Sequence, residues 1–268
     1  MARTPQLRLG TSAFTAAGWE GTFYPAGMKP ADFLSHYATV FDTVEVDSTY
    51  YRTPSPAMVR GWRDKTPKGF LFAAKVPGEI THKKVLVDCD GELKRFLDVM
   101  DTLGEKLGPL LFQFPYFNKK AFATPDEFLA RLALFVKKLP KGYRFAVETR
   151  NKNFLGPKLT DLLRERGIAL ALIDHPWMPR PRQILEKLNP ITADFTYIRW
   201  LGDRKGIEEQ TKVWDKTIVD RRRELIEWVE AIRKFNQSSV DVFAFANNHY
   251  AGHAPDTIRK FWELWKKK

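Results

Sequence analysis

Eight short runs rich in β-branched and aromatic residues recur along the chain, each followed by a helical pattern or a longer loop. They are LRLGT (7–11), TVEVD (43–47), FLFAAKV (70–76), PLLFQF (109–114), YRFAVET (143–149), IALALID (168–174), DFTYIRWL (194–201) and VDVFAFAN (240–247). Alternation of this kind predicts a parallel sheet, because parallel neighbours need a crossover between them, and a count of eight matches a closed (β/α)8 barrel. An open doubly wound sheet is the competing arrangement. The segment after the first run, GTSAFTAAGWEG, lacks G-x-G-x-x-G, and no G-x-x-x-x-G-K-[ST] occurs, so no nucleotide cofactor is expected. With no repeat, linker or low-complexity break, residues 1–268 read as one α/β domain.

The spacing of apolar residues predicts helices over 30–41, 55–65, 91–106, 124–139, 156–167, 221–235 and 254–268. Ser55 before Pro56 has the form of an N-cap ahead of a first-turn proline, and Thr124 with Glu127 has that of a capping box. The segment HPWMPRPRQILEKLNP (175–190) holds four prolines and is expected to contain at most one short helix.

Composition narrows the classes further. No apolar run approaches the roughly 18 to 20 residues of a membrane span, and MARTPQLRLG lacks the apolar middle of a signal peptide, so the cytoplasm is the expected location and no membrane partner is expected. The one cysteine, Cys89, excludes an internal disulfide, and nothing beside it in the sequence suggests an activated thiol. Lys and Arg number 44 against 32 Asp and Glu, a net charge of +12 that favours anionic partners.

In a barrel the active site lies at the carboxyl ends of the strands. Those ends carry Glu45, Asp47 and Ser48; Lys75, with His82 beyond; Gln113; Glu148 and Arg150; Asp174 and His175; Arg199; and Asn247 and Asn248. Side chains alternate along a strand, so if Val44 and Val46 pack on the helices, Glu45 and Asp47 face the interior. Likewise Phe145 and Val147 outward turn Arg144, Ala146 and Glu148 inward, with Arg150 continuing that parity at the rim. Buried charges need partners, and Lys75, Arg144, Arg150 and Arg199 are the candidates in kind. The alternative is an ion-pair network that closes the mouth without catalysis. Tyr50, Tyr51, Trp19, Phe23, Tyr24 and Trp200 are candidate pocket walls or plain core.

The segments RLGTSAF, GTFYP, FDTVEVDSTYYRTPSP, GFLFAAKVPGEITH, LGEKLGPLLFQFP, RFAVETRN, ALALIDHP, DFTYIRWLG and VDVFAFANNHYAGHAP together resemble the YecE-like family, also called domain of unknown function seventy-two. The resemblance runs from about residue 7 to 258. It implies a TIM barrel and leaves the activity open. The positions that fit the shared pattern are Thr11, Ser12, Glu45, Ser48, Thr49, Tyr51, Lys75, His82, Gln113, Glu148, Arg150, Asp174, Arg199, Asn247, Asn248, Gly252 and Ala254. Two departures stand out: Asp47 where the family usually has asparagine, and Ala13-Phe14 where it has a glycine followed by an aromatic.

Two functions compete. The first is an enzyme doing acid–base or hydrolytic chemistry on a small anionic or sugar-like substrate, phosphorylated ones included. Glu45 and Glu148 would be general acid and base, Lys75 and Arg199 clamps, and Asp174 a further catalytic candidate. Tyr51, His82, Gln113, Arg150, Arg199, Asn247 and Asn248 would bind the substrate. A variant of this reading has Glu45, Asp47, His82, Glu148 and Asp174 hold a divalent metal; against it, H-x-H and H-E-x-x-H are absent, and Lys75 and the arginines repel a cation. The second is a noncatalytic nucleic-acid-binding or regulatory protein, motivated by the charge and by the basic runs RPR (180–182) and WKKK (265–268).

Overall fold

The computed structural model describes residues 4–267; the last lysine of WKKK lies outside them. Strands β1 (Leu7–Thr11), β2 (Thr43–Val46), β3 (Leu71–Lys75), β4 (Leu107–Gln113), β5 (Phe145–Glu148), β6 (Ala169–Asp174), β7 (Phe195–Trp200) and β8 (Asp241–Ala246) fall where the eight runs predict. All seven laddered pairs are parallel, in the order β1-β8-β7-β6-β5-β4-β3-β2, with helices alternating between strands. The fold is a (β/α)8 TIM barrel.

Period-two alternation sorts the side chains into two layers. Val44, Val46, Phe72, Leu110, Phe112, Phe145, Val147, Leu170, Leu172, Ile198 and Val242 face outward and pack with the helices. The interior holds Ala73, Ala146, Ala169 and Ala171 opposite the larger Leu111, Phe195, Tyr197, Phe243 and Phe245. Small residues on β3, β5 and β6 make room for the rings of β7 and β8.

The barrel closes between β1 and β2 without a backbone ladder. A buried phenol does the joining: Thr11 N–H donates to the Tyr37 hydroxyl at 2.9 Å, and that hydroxyl donates to the Thr43 carbonyl at 3.1 Å. Burial raises the Tyr37 pKa, so the bridge keeps its proton at any ordinary pH. Gly10 permits the approach, since a Cβ there would lie 2.1 Å from the Thr43 oxygen.

The caps form where expected. Ser55 Oγ accepts from Met58 N–H at 3.2 Å, and Thr124 Oγ1 from Glu127 N–H at 3.4 Å. Glu127, however, reaches back to Ala123 N–H at 2.9 Å, one residue short of the cap itself. The helix expected over 91–106 spans Asp90–Met100 and continues as a tighter turn over Asp101–Lys106, because Gly104 takes φ +56° and interrupts it. The proline-rich segment holds one short helix, Pro181–Lys187. Two short helices beyond the sequence reading, Arg204–Glu208 and Asn248–Ala251, follow β7 and β8. No helix among the described residues is long and apolar enough to cross a membrane.

Candidate active site

Strand parity aims Glu45, Glu148, Tyr197 and Arg199 into the barrel at its carboxyl end. Arg199 is the common partner of the two glutamates. Its Nε lies 2.9 Å from Glu45 Oε2 and its Nη2 2.9 Å from Glu45 Oε1, while Nη1 reaches Glu148 Oε2 at 2.9 Å. Tyr197 donates to Glu45 Oε2 at 2.6 Å, and Arg150 Nε to the other Glu148 oxygen at 2.6 Å. All four carboxylate oxygens are engaged, and Glu45, Glu148 and Arg199 are buried.

Electrostatics follow from that geometry. Burial alone would raise the Glu148 carboxyl, but Arg199, Arg150 and Lys75 outweigh it and hold the group down at about 2. Burial works against the Arg199 charge, yet Glu45 and Glu148 push its pKa still higher. Burial and the Glu45 charge together keep the Tyr197 phenol protonated.

Above this floor opens a cavity of about 440 Å³. Of the residues singled out from the sequence, Asp47, Tyr50, Tyr51, Lys75, His82, Gln113, Arg150, His175, Arg199 and Asn247 line it, and Glu45 and Glu148 lie beneath. Leu201, Gly202, Arg204 and His249 complete the wall. Lys75 is buried, with Nζ 3.4 Å from Asp47 Oδ1 and 4.1 Å from the centre of the Tyr50 ring. Burial lowers its pKa; Asp47 opposes that shift and Arg199 adds to it.

His82 sits on a π-helical turn, Glu79–Lys83, a form that recurs at functional sites. The chain just beyond is bent through three left-handed non-glycine residues, Val85, Leu86 and Asp88, each costing on the order of 1 kcal/mol or more. The imidazole Nδ1 lies 2.8 Å from Thr81 Oγ1. Burial, reinforced by Lys75 and Arg150, lowers His82 to about 4, and burial with Arg150 also lowers His175, so both rings are neutral near pH 7. His249 ties the short Arg204–Glu208 helix to the mouth, with Nε2 2.9 Å from Glu208 Oε1 and Nδ1 2.6 Å from Asn247 Oδ1. Gly202 lets that turn pass: it has φ +67°, and a Cβ would fall 2.5 Å from the His249 carbonyl oxygen.

Two predicted residues lie apart from the cavity. Asp174 shares the outward parity of Leu170 and Leu172 and bonds Arg180 Nη1 at 2.6 Å, Trp228 Nε1 at 2.8 Å and the Tyr250 hydroxyl at 2.9 Å. It fastens the 175–180 loop to the helix layer. Asp174→Asn is expected to cost about 1–3 kcal/mol, because it takes a charge from Arg180 and turns an acceptor into a donor; urea unfolding followed by tryptophan fluorescence would measure it. Asn248 Oδ1 accepts from Trp19 Nε1 at 3.2 Å and from Ala254 N–H at 2.9 Å, which fixes loops instead of lining the mouth.

Of the aromatic candidates, Trp19, Tyr24 and Trp200 are core, while Tyr50 and Tyr51 face the cavity. Cys89 is buried, and burial pushes its thiol up to about 11. The five residues considered as metal ligands do not converge. Among the described residues no group of three His, Cys, Asp or Glu is placed to hold a metal, and Arg199 occupies the space between Glu45 and Glu148.

Comparison with known proteins agrees with this architecture. The chain is 27% identical over 253 residues to the UPF0759 protein YecE of Escherichia coli K12, covering 87% of this chain and 86% of that one. It is 24% identical over 265 residues to the UPF0759 protein YunF of Bacillus subtilis 168, covering 92% of each. The crystal structure of a DUF72 family protein (TM1631) from Thermotoga maritima superposes with a TM-score of 0.75 at 28% identity, covering 98% of this chain and 100% of that one. A family model described as "Protein of unknown function DUF72" matches residues 8–268, and the chain belongs to that family.

Proposed function

We propose that the barrel mouth binds a small anionic or sugar-like substrate, phosphorylated ones included, and carries out proton transfer on it. One observation carries this reading: Arg199, Arg150 and Lys75 converge on one cavity, while the two buried carboxylates that balance them lie on the floor with every oxygen engaged. Among the described residues only the Nε of Arg150 is engaged, by Glu148, so its terminal nitrogens are donors for an incoming anion. Under this reading Glu45 and Glu148 position Arg199: every oxygen of both is already engaged, and Glu148, held at about 2, is a weak base and no acid at neutral pH. Proton transfer then falls to groups that are neutral there, His82 foremost, with Gln113 and Asn247 as polar contacts.

The test is thermal unfolding with added inorganic phosphate at constant ionic strength. Saturation at 100 times Kd adds about 2.7 kcal/mol, roughly 5–10 °C for a chain of this size. Arg150→Ala is expected to remove most of that gain. An unchanged midpoint with phosphate and with small carboxylates at millimolar concentration would sink the reading.

A second reading, binding of nucleic acid, has one observation in its favour. Tyr51, Tyr116 and Trp177 stand 82%, 61% and 66% exposed on the loops after β2, β4 and β6, where bases can stack. Single-stranded oligonucleotide binding that weakens steeply with salt and ignores Arg150→Ala would favour it over the first.

A further inference from the structure

We propose that Lys75 is a covalent catalytic residue whose amine condenses with the carbonyl of a substrate that also carries an anionic group. The inference rests on the anion-binding reading above and names the chemistry of that same cavity.

The charge inventory singles out this lysine. Four Lys and Arg side chains share the mouth: Arg204 pairs with Glu208, and the two buried glutamates are committed to two of the other three, Glu45 to Arg199 and Glu148 to Arg199 and Arg150. Among the described residues Lys75 pairs within 4 Å only with Asp47, a part-exposed carboxylate 3.4 Å away that is itself within 3.8 Å of Arg199, while Glu148 and Glu45 act on it from farther off. Burial, reinforced by Arg199, outweighs these carboxylates and lowers the Lys75 pKa, so the amine gives up its proton more readily than an exposed lysine does, and the neutral amine is the nucleophile. The tail is fixed as well as desolvated. It ends β3, its carbonyl accepts from Thr49 Oγ1 at 2.6 Å, and Nζ rests over the Tyr50 ring. His82 meets the same ring edge-on, with centroids 4.8 Å apart, and is neutral and lines the same cavity.

The step balances with these groups. The Nζ lone pair forms a C–N bond as the carbonyl π pair moves onto oxygen. The oxygen leaves as water, carrying one proton from the nitrogen and one from solvent relayed through His82. Nitrogen keeps one proton and its new double bond as an iminium, which draws electrons from the adjacent carbon. Arg150 and Arg199 hold the anionic group, so the substrate class is a small carbonyl compound bearing a phosphate or carboxylate.

Reductive trapping tests this. The full chain is incubated with pyruvate or dihydroxyacetone phosphate, borohydride delivers hydride to the iminium carbon, and the peptides are mapped by mass. We expect one adduct per chain on the Lys75 peptide, about tenfold above any exposed lysine. Lys75→Arg keeps the charge and is expected to lose the adduct; mapping on the unaltered chain decides the matter even if that variant does not fold. Labelling spread evenly over exposed lysines overturns the proposal. No adduct from either carbonyl, with phosphate still raising the melting midpoint, overturns the imine and leaves the anion site standing. No adduct and no phosphate effect overturns both.

Discussion

Replacing Arg199 by methionine is expected to cost about 3–5 kcal/mol of stability, because it strands two buried carboxylates that share this guanidinium. That is one of the largest effects any single side chain here should have. The loss should also depend on pH with a definite sign. In the parent chain Glu148 is held at about 2 against an ordinary value of 4.5, a difference worth about 3 kcal/mol of preference for the ionised form. A carboxyl depressed on folding contributes stability that is present above about pH 4.5 and is lost as the pH falls towards 2. Without Arg199, only Arg150 and Lys75 oppose burial, and the Glu148 carboxyl rises. Acid then takes less from the variant than from the parent, so the deficit narrows as the pH is lowered. Urea unfolding of both chains at neutral pH and at about pH 4 would measure this. A variant with the parent's midpoint at both values would show that the carboxylates do not depend on Arg199.

Most of the site's position was legible from period two alone. In TVEVD and YRFAVET the valines and Phe145 mark the outward face, which puts Glu45 and Glu148 inside, as found. The same rule applied to IALALID would have set Asp174 aside, since it shares parity with Leu170 and Leu172; reading the strand by its last residue hid that. The structure gives the Asp47 charge a neighbour in Lys75. What the strands could not reveal lies in the loops. Val85 and Leu86 are residues that local preference places in extended or helical backbone, so their left-handed turn, and the π-helical turn before it, have no signature in the sequence. His249 stands two residues beyond Asn247 in a quoted motif, but its link to Glu208 spans 41 residues and depends on a helix of five. Nor does sequence say that Glu45 and Glu148, read as general acid and base, flank an arginine. That follows only once β2, β5 and β7 are arranged around one axis.

Gly10→Ala is expected to damage the chain about as severely as losing Arg199, from the opposite side of the argument. The new methyl group would stand 2.1 Å from the Thr43 oxygen and 3.1 Å from the Tyr37 hydroxyl, so β1 and β2 must part. Neither neighbour can yield cheaply, since one is backbone and the other a buried ring with two bonds to keep. Overpacking and the broken bridge together should cost about 3 kcal/mol or more, roughly 10 °C in the melting midpoint. Tyr37→Phe separates the two contributions, because it removes the bridge without adding an atom, and about 1–3 kcal/mol is expected for it. The consequence reaches the mouth through β2. Glu45 lies two residues beyond Thr43 and depends on sub-ångström register with Tyr197 and Arg199 across the barrel, so displacement of β2 should loosen the floor of the cavity. Gly10→Ala is therefore expected to weaken phosphate stabilisation as well as the fold, whereas Tyr37→Phe should retain most of it. A Gly10→Ala chain that melts within about 1 °C of the parent, a shift well under that of 1 kcal/mol, would mean that β1 and β2 meet with slack that the 2.1 Å approach does not allow.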